Sequence, residues 1–357
     1  MSLFFLKNAD LFSPPPLGEG CLTFHVRRGE GKCKGYEVNF SYFSAAMDLS
    51  VIIPIYNEEA NIGLLYNRLK GVLDGLPVEN YEMVFVNDGS RDASLALIKG
   101  LSVTDKNVRY IDFSRNFGHQ VAVTAGLDAC IGKAVVIIDA DLQDPPELIG
   151  DLYAKHKEGY QVVYAQRRSR AGESFFKKFT AKMFYRILAR ITSVNIPVDT
   201  GDFRLIDRVI VNILKEMPEQ QKYLRGQIAW IGFNQIAVEY DRDERNAGET
   251  GYTFKKMVRL ALDGLTGFSN FPLRFATMAG FFVSGVAFLL IIYALISYFF
   301  FTKTTQPGWT SMMISVLFIG GIQLIGIGII GEYIGRISSN VRNRPLYIVR
   351  DTNIAGE

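Results

Sequence analysis

Cysteine is scarce in this chain, with three residues in 357: Cys21 and Cys33 near the amino terminus and Cys130 in an apolar stretch. That number and spacing give neither a disulfide framework nor a thiolate metal site, and a reducing compartment is the natural reading. Excess charge is also missing. A formal net charge of +3 is too small to mark a nucleic-acid-binding surface. The amino-terminal residues do not read as a secretory leader, because Lys7 and Asp10 interrupt the one apolar start. A phosphate-cradling glycine loop is lacking too. The first strand-like run leads into YNEEANIG instead of G-x-G-x-x-G, and no G-x-x-x-x-G-K-[ST] occurs, so dinucleotide redox and P-loop chemistry both lose support.

Charge is absent from two long runs, between Arg274 and Lys303 and between Lys303 and Glu332. Each is long enough for a transmembrane helix of ~20 residues, and the mean hydropathy of +0.12 is high for a soluble enzyme. Two spans with a short loop predict a membrane hairpin. Lys255, Lys256, Arg259 and Arg274 precede it, Arg336, Arg342 and Arg344 follow it, and the loop carries only Lys303. The positive-inside rule then puts both chain ends and the preceding domain in the cytoplasm. Glycines 320, 321, 326, 328 and 331 permit close helix contact, as in a homo-oligomer, although lipid-adapted composition explains them equally. Two basic amphipathic stretches, Glu173 to Arg190 and Thr253 to Leu265, read as interfacial helices. A core helix with a solvated basic face is the alternative for the first.

The remaining organisation follows from local patterns. Residues 1–46 contain Ser13-Pro14-Pro15-Pro16 and scattered glycines with no sustained period, which predicts an irregular segment. From Asp48 onward, Leu49 to Ile55, Met83 to Val86, Val108 to Phe113 and Ala134 to Ile138 read as strands separated by helical patterns. This predicts βαβ units around a parallel sheet, with ligands at the strands' carboxyl ends. Polar residues fall there: Tyr56-Asn57-Glu58-Glu59, Asn87-Asp88-Gly89-Ser90, Ser114-Arg115-Asn116 and Asp139-Ala140-Asp141-Leu142-Gln143-Asp144. Helix capping by Asn57 and a turn at NDGS, with Asp92 capping the next helix, are the plain structural alternatives. The fourth group is harder to dismiss. In extended backbone, Asp139, Asp141 and Gln143 project to one side while Ala140 and Leu142 face the other. Clustered carboxylates repel unless a cation relieves them, and such hard oxygens suit Mg²⁺ or Mn²⁺ holding a diphosphate.

VIIPIYNEE, NDGS, DADLQDPPE and Val198 to Leu205 (VDTGDFRL), in that order and ahead of a hydrophobic hairpin, resemble the family-2 glycosyltransferases of GT-A fold. The resemblance is to the polyprenyl-phosphate glycosyltransferases, which include dolichyl-phosphate mannose synthases and bacterial GtrB-like enzymes, and it covers about Met47 to Val349. It implies an α/β, Rossmann-like, mostly parallel GT-A domain over 47–250. An interfacial juxtamembrane segment over 251–272, two transmembrane helices over 273–335 and a cytoplasmic tail over 336–357 would follow. The implied activity is inverting, metal-dependent sugar transfer from a nucleotide sugar to a polyprenyl phosphate at the cytoplasmic face of the membrane. UDP-glucose and undecaprenyl phosphate are the favoured pair.

By the same resemblance, Pro54, Tyr56, Glu58 and Ala140 line the nucleotide pocket and Asp88 contacts the base. Asp139 and Asp141 serve ribose, diphosphate and metal, and Gln143 completes the metal shell. Arg167 and Arg245 bind phosphate, and Arg204 offers a further forked donor to the acceptor. One position departs from the family: Gly251 stands where a lysine is usual, so either a phosphate contact is missing there or Lys255 or Lys256 substitutes. Asp202 is the family's candidate base. An acceptor phosphomonoester has its second pKa near ~6 and is already largely ionised at neutral pH, so Asp202 is expected mainly to orient; a helix cap or an Arg204 partner is its structural alternative. A processive polysaccharide synthase should carry Q-x-x-R-W, whereas Gln227-Ile228-Ala229-Trp230 has no arginine before Trp. A catalytically silent nucleotide-sugar-binding scaffold would not need the metal acids, and a soluble cytidylyltransferase-like enzyme would not need the hairpin.

Overall fold

The computed structural model describes residues 22–27, 33–38, 47–168, 200–241, 271–300 and 308–354, and the chain divides into two compact units, Met1–Ala46 and Met47–Glu357. In the first unit, Leu22–Arg27 (β1) and Cys33–Val38 (β2) pair antiparallel, with Leu22 opposite Val38 and Arg27 opposite Cys33. The expectation of an irregular segment is corrected to that extent. LTFHVR alternates apolar and polar residues, the period of a half-buried strand. A chain beginning at Met47 keeps the whole second unit, so it is expected to retain its thermal transition and membrane insertion. Thermal unfolding and carbonate extraction of membranes check this; loss of either would make the hairpin a support for the second unit.

Strands of the second unit are β3 (Leu49–Ile55), β4 (Tyr81–Asn87), β5 (Val108–Phe113), β6 (Ala134–Ile137), β7 (Val162–Arg167), β8 (Thr200–Asp207), β9 (Gln235–Tyr240) and β10 (Val349–Thr352). They form one eight-stranded sheet in the order β10-β5-β4-β3-β6-β8-β7-β9. β3 runs parallel to β4 and β6, β4 to β5, and β7 to β9, while β8 lies antiparallel between β6 and β7 and β10 lies antiparallel against β5. The sheet is thus mixed but mostly parallel. Every residue of β3 and β4 is buried, which is why these strands read as continuous apolar runs without alternation.

Helices cover both faces. On one, Ile62, Leu65 and Leu69 of α1 (Glu59–Asp74) and Ile98 of α2 (Ser94–Thr104) share a core with Val51, Ile53 and Phe85. α4 (Ile149–Lys157) adds Ile149 and Leu152 to the same core. On the other, Ala122 and Val123 of α3 (His119–Ala129) and Ile210 and Val211 of α5 (Arg208–Glu216) pack with Ile52, Val84 and Val135. Leu224 and Ile228 of α6 (Leu224–Ile231) complete that side. Gly126 lets α3 lie close, since a Cβ there would run into the Ile52 side chain.

The alternative of Asn57 as the cap of α1 is not what the structure shows, the N-cap position being Glu58. Asn57 adopts a left-handed conformation at φ 55°; its N–H donates to Ser90 Oγ at 3.0 Å, and its Oδ1 accepts from Arg91 N at 2.8 Å. The loops after β3 and β4 are thereby tied together. Asp92 serves both helices, accepting from Ser94 N and from Glu59 N, each at 3.1 Å.

The charge-free runs form α7 (Phe271–Phe300) and α8 (Trp309–Arg342), of 30 and 34 residues, which pack against each other. At ~1.5 Å per residue each exceeds the thickness of a ~30 Å hydrocarbon core. Within α8, Phe318–Arg342 has a mean hydropathy of 1.5 and is long and apolar enough to cross a membrane. The stretch 336–357 is more than a tail: α8 continues to Arg342, and β10 then rejoins the sheet beside β5. The amphipathic stretches expected at the interface, together with Arg245 and Gly251, lie outside the described residues.

Candidate active site

Strand direction gathers the polar residues. The carboxyl ends of β3, β4, β5 and β6 deliver Tyr56, Asp88, Ser114 and Asp139 to one edge of the sheet. Because β8 runs the other way, its amino end reaches the same edge: Ile137 pairs with Arg204, and the register carried two residues further brings Asp202 level with Asp139. β7 and β9 end there too, with Arg167 opposite Tyr240.

Residues 138–144 alternate in burial as the sequence predicts, with Ala140, Leu142 and Asp144 inside and Asp139, Asp141 and Gln143 partly exposed. The backbone is a turn, not an extended strand. Leu142 takes φ 59°, and Asp141 Oδ1 accepts from Gln143 N at 3.2 Å. Asp139 Oδ1 is buried and accepts no hydrogen bond, lying 3.5 Å from His119 Nε2. Burial pushes the Asp139 carboxyl up to about 6 against the pull of His119, with Asp202, Asp144 and Asp141 adding to the rise. These oxygens are the hard donors that Mg²⁺ or Mn²⁺ takes, and a carboxylate oxygen without a proton donor is what a cation would satisfy. Among the described residues no group of three or more acidic, imidazole or thiol side chains could enclose an ion. Two carboxylates plus substrate phosphates fit Mg²⁺ better than a protein-only cage does.

Asp202 sits in a network of its own. Its Oδ1 accepts from Arg225 Nε at 2.7 Å, and its Oδ2 accepts from Gln120 Nε2 at 3.0 Å and lies 3.1 Å from His119 Nε2. Arg225 also donates to Thr200 O at 2.9 Å. Burial opposes ionisation of Asp202, yet Arg225 and His119 outweigh it and hold the carboxyl well below its usual range. Burial likewise opposes the charge on His119, but Asp139 and Asp202 push its pKa up to about 9. At neutral pH the imidazolium therefore stands between two carboxylates.

The other expected residues divide into two groups. Tyr56 lines a cavity of about 310 Å³ with Gly89, Ser90, Arg91, Ser114, Arg115, Asn116 and Arg350. Arg167 donates from Nε to Tyr240 Oη at 3.3 Å, and Tyr240 in turn donates to Asp144 Oδ1. Pro54 and Ala140 are buried. Glu58 is partly exposed and accepts from Asn61 Nδ2 at 2.6 Å. Asp88 is 2% exposed, and its two oxygens accept from the amides of Phe117 and Gly118 at 2.6 and 2.9 Å. These two bonds shape the loop after β5 and use one lone pair of each oxygen. Gly89, at φ +65°, lets that loop close in, since a Cβ would lie 2.7 Å from Asn116 N. Arg204 is buried, donating to Gly201 O at 2.9 Å and Asp202 O at 3.4 Å. Burial lowers its pKa to about 10, and its fork grips backbone inside the strand rather than facing the crevice.

His119, Gln120, Arg225, Tyr240 and Arg350 escaped the sequence reading, and Asp144 was seen only as part of the polar group after β6. His119-Gln120 lie just past the polar group after β5, separated from Asn116 by Phe117-Gly118, so continuing that group by four residues was the one available signal. Nothing in the spacing of Arg225 or Arg350 foretells their place.

A doubly wound sheet with a carboxylate pair after its central strand, and no glycine loop, has the GT-A arrangement of nucleotide-dependent transferases. Residues 50–214 match glycosyl transferase family 2. The Bacillus subtilis (strain 168) protein named uncharacterized glycosyltransferase YkcC is 52% identical over 307 residues, 86% of this chain and 94% of that protein. The SfII prophage-derived bactoprenol glucosyl transferase of Shigella flexneri is 41% identical over 307 residues, 86% of this chain and 99% of its own. Among solved structures, glucosyl-3-phosphoglycerate synthase from Mycobacterium tuberculosis, in complex with Mn²⁺, UDP and phosphoglyceric acid, is 20% identical with a TM-score of 0.44. That likeness covers 62% of this chain and 77% of the other. The chain belongs to glycosyl transferase family 2.

Proposed function

We propose that the protein transfers glucose from UDP-glucose to a polyprenyl phosphate, such as undecaprenyl phosphate, at the cytoplasmic face of the membrane, with inversion at the sugar. The observation that carries this reading is the meeting of Asp139, His119 and Asp202 at the end of β6, across the sheet edge from the arginine-lined cavity. Strands are ~4.8 Å apart, so β6 and β5 are separated by roughly 14 Å, a span suited to an extended nucleoside diphosphate. Its base would then sit over β4 and β5. The relatives named as bactoprenol glucosyl transferases support the lipid acceptor, and two long apolar helices give the chain a way to reach it.

Asp139 and Asp141 would hold the cation, with Gln143 beside them. When bound, the metal offsets the charge that develops on the departing diphosphate. The chain's own residues do the rest. Asp202, already ionised and hydrogen-bonded on both oxygens, is a poor base and instead fixes His119 and Arg225. The acceptor phosphate is itself ionised near neutral pH and needs no proton removed. His119 keeps a charged N–H at the crevice, and Arg167 offers its guanidinium from the end of β7. The cavity supports uracil over guanine. Its arginines and hydroxyls can donate to the two carbonyls of uracil and the Asn116 amide oxygen can accept from the single N–H between them, whereas the adjacent imino and amino groups of guanine call for a carboxylate, and none lines the cavity.

Nucleotide release tests the reading. Protein in detergent should release UDP from UDP-glucose only when polyprenyl phosphate is added, and should form glucosyl lipid in equal amount. A silent sugar-nucleotide-binding protein would bind UDP-glucose and release nothing. Equal reaction with a water-soluble sugar, or reaction with GDP-mannose alone, would sink the proposal.

A further inference from the structure

We propose that the segment following the second long helix completes the donor site: Arg350, on edge strand β10, contacts the nucleoside end of the donor. This rests on the donor reading above and goes beyond it in joining the membrane anchor to nucleotide binding. β10 meets β5 with Val349 opposite Phe113 and Asp351 opposite Asp112, so Arg350 is the extra residue of a bulge. Bulges next to active sites re-aim a side chain. Here the half-exposed Arg350 side chain lies over the sheet edge and donates from Nε to Asp112 Oδ2 at 2.7 Å, while Asn87 donates to the other oxygen of this buried carboxylate, also at 2.7 Å. Among the described residues neither Nη nitrogen has a partner. Both are available at a cavity shared with Arg91 and Arg115, which has no carboxylate in its lining. Three guanidiniums around one opening repel one another, and a ligand rich in carbonyl and phosphate oxygens relieves that repulsion.

The fold holds this arginine in place more firmly than a four-residue edge strand requires. Asn353 accepts from Tyr110 N at 2.7 Å and donates to Val108 O at 3.1 Å. Thr352 donates to Tyr110 O at 2.6 Å, and Asp351 pairs with Lys99 at 2.5 Å. α8 ends at Arg342 and β10 begins at Val349, leaving residues 343–348 to join them. A short connection transmits the position of the helix to the strand, and through the strand to Arg350.

The test is calorimetric titration of the full-length protein in detergent with UDP, beside steady-state kinetics. Arg350→Gln is expected to weaken UDP binding about tenfold and to raise the donor KM equally, with kcat and the acceptor KM within about twofold. Arg350→Lys, which keeps the charge but loses the fork, should fall between. Asp351→Asn loosens the same strand without touching the cavity and separates contact from scaffolding. Should Asp351→Asn and Arg350→Gln lower both UDP affinity and the melting temperature alike, Arg350 only holds the strand and the proposal fails. Unchanged UDP affinity in Arg350→Gln, with normal binding by the wild type, overturns this inference alone. A wild type that binds no nucleoside diphosphate overturns the donor reading and this inference with it.

Discussion

Replacing Asp141 by Asn is expected to reduce glycosyl transfer by at least about a hundredfold, the scale of losing one charged contact at a reacting centre, while leaving the fold intact. The two halves of this expectation have separate causes. Asp141 Oδ1 accepts from Gln143 N, and an amide oxygen can accept the same bond, so the turn around Leu142 survives. What is lost is a unit of negative charge where a hard divalent cation has few other protein ligands. Asp139 cannot compensate, since its own carboxylate is already one of the two proposed ligands and cannot supply a second charge. Wild-type protein with excess chelator should lose activity to the same extent. Transfer assays in Mg²⁺ and Mn²⁺, with a thermal melt of each protein, decide the matter. A mutant active within a few fold of wild type, or a wild type indifferent to chelator, would remove the metal from the proposed reaction.

The DADLQD turn also shows what a sequence can and cannot disclose. Alternation of buried and exposed side chains was legible there, because side-chain polarity alone dictates which positions can go inside. The backbone was not, since nothing about Leu142 announces a left-handed conformation. β3 was legible to the residue because its nearly continuous apolar run is buried on both faces, and β5 because the β-branched and aromatic residues of VRYIDF mark a strand despite Arg109 and Asp112. β8 was harder: TGDFRLID carries Asp202 and Arg204 into a buried strand, against ordinary propensity, and its place between β6 and β7 depends on distant partners. That placement also explains why Arg204 differs from expectation. Pairing opposite Ile137 puts it inside the sheet, where it donates to the Gly201 and Asp202 carbonyls of its own strand. β10 is the extreme case, four residues long and more than 200 positions from its partner β5.

Removing Arg225 while keeping Asp202 should be the most destabilising change at the site. Arg225→Met leaves a nearly buried carboxylate with only His119 and Gln120, and breaking one side of such a pair costs about 3 kcal/mol. Because the arginine side chain is 25% exposed, water softens the penalty, so the low end of that range is appropriate. At roughly 2–4 °C per kcal/mol for a domain of this size, the melting temperature should fall by about 6–12 °C. Adding Asp202→Asn should restore part of the loss, because the buried charge disappears with its partner. Asp202→Asn should also alter the response to pH. In the wild type His119 is raised to about 9 from an unfolded value near ~6.5. Its contribution to stability is therefore full below about 6.5 and lost as pH rises through 9. Without the Asp202 charge, the raised value falls toward the ordinary one, and the alkaline decline between those limits should flatten. Melting temperatures of metal-free wild type, both single variants and the double variant from pH 6 to 10 measure both effects. A double variant no more stable than Arg225→Met, together with an unchanged alkaline decline in Asp202→Asn, would mean that the carboxylate orders neither neighbour, and the orienting role assigned to Asp202 would go with it.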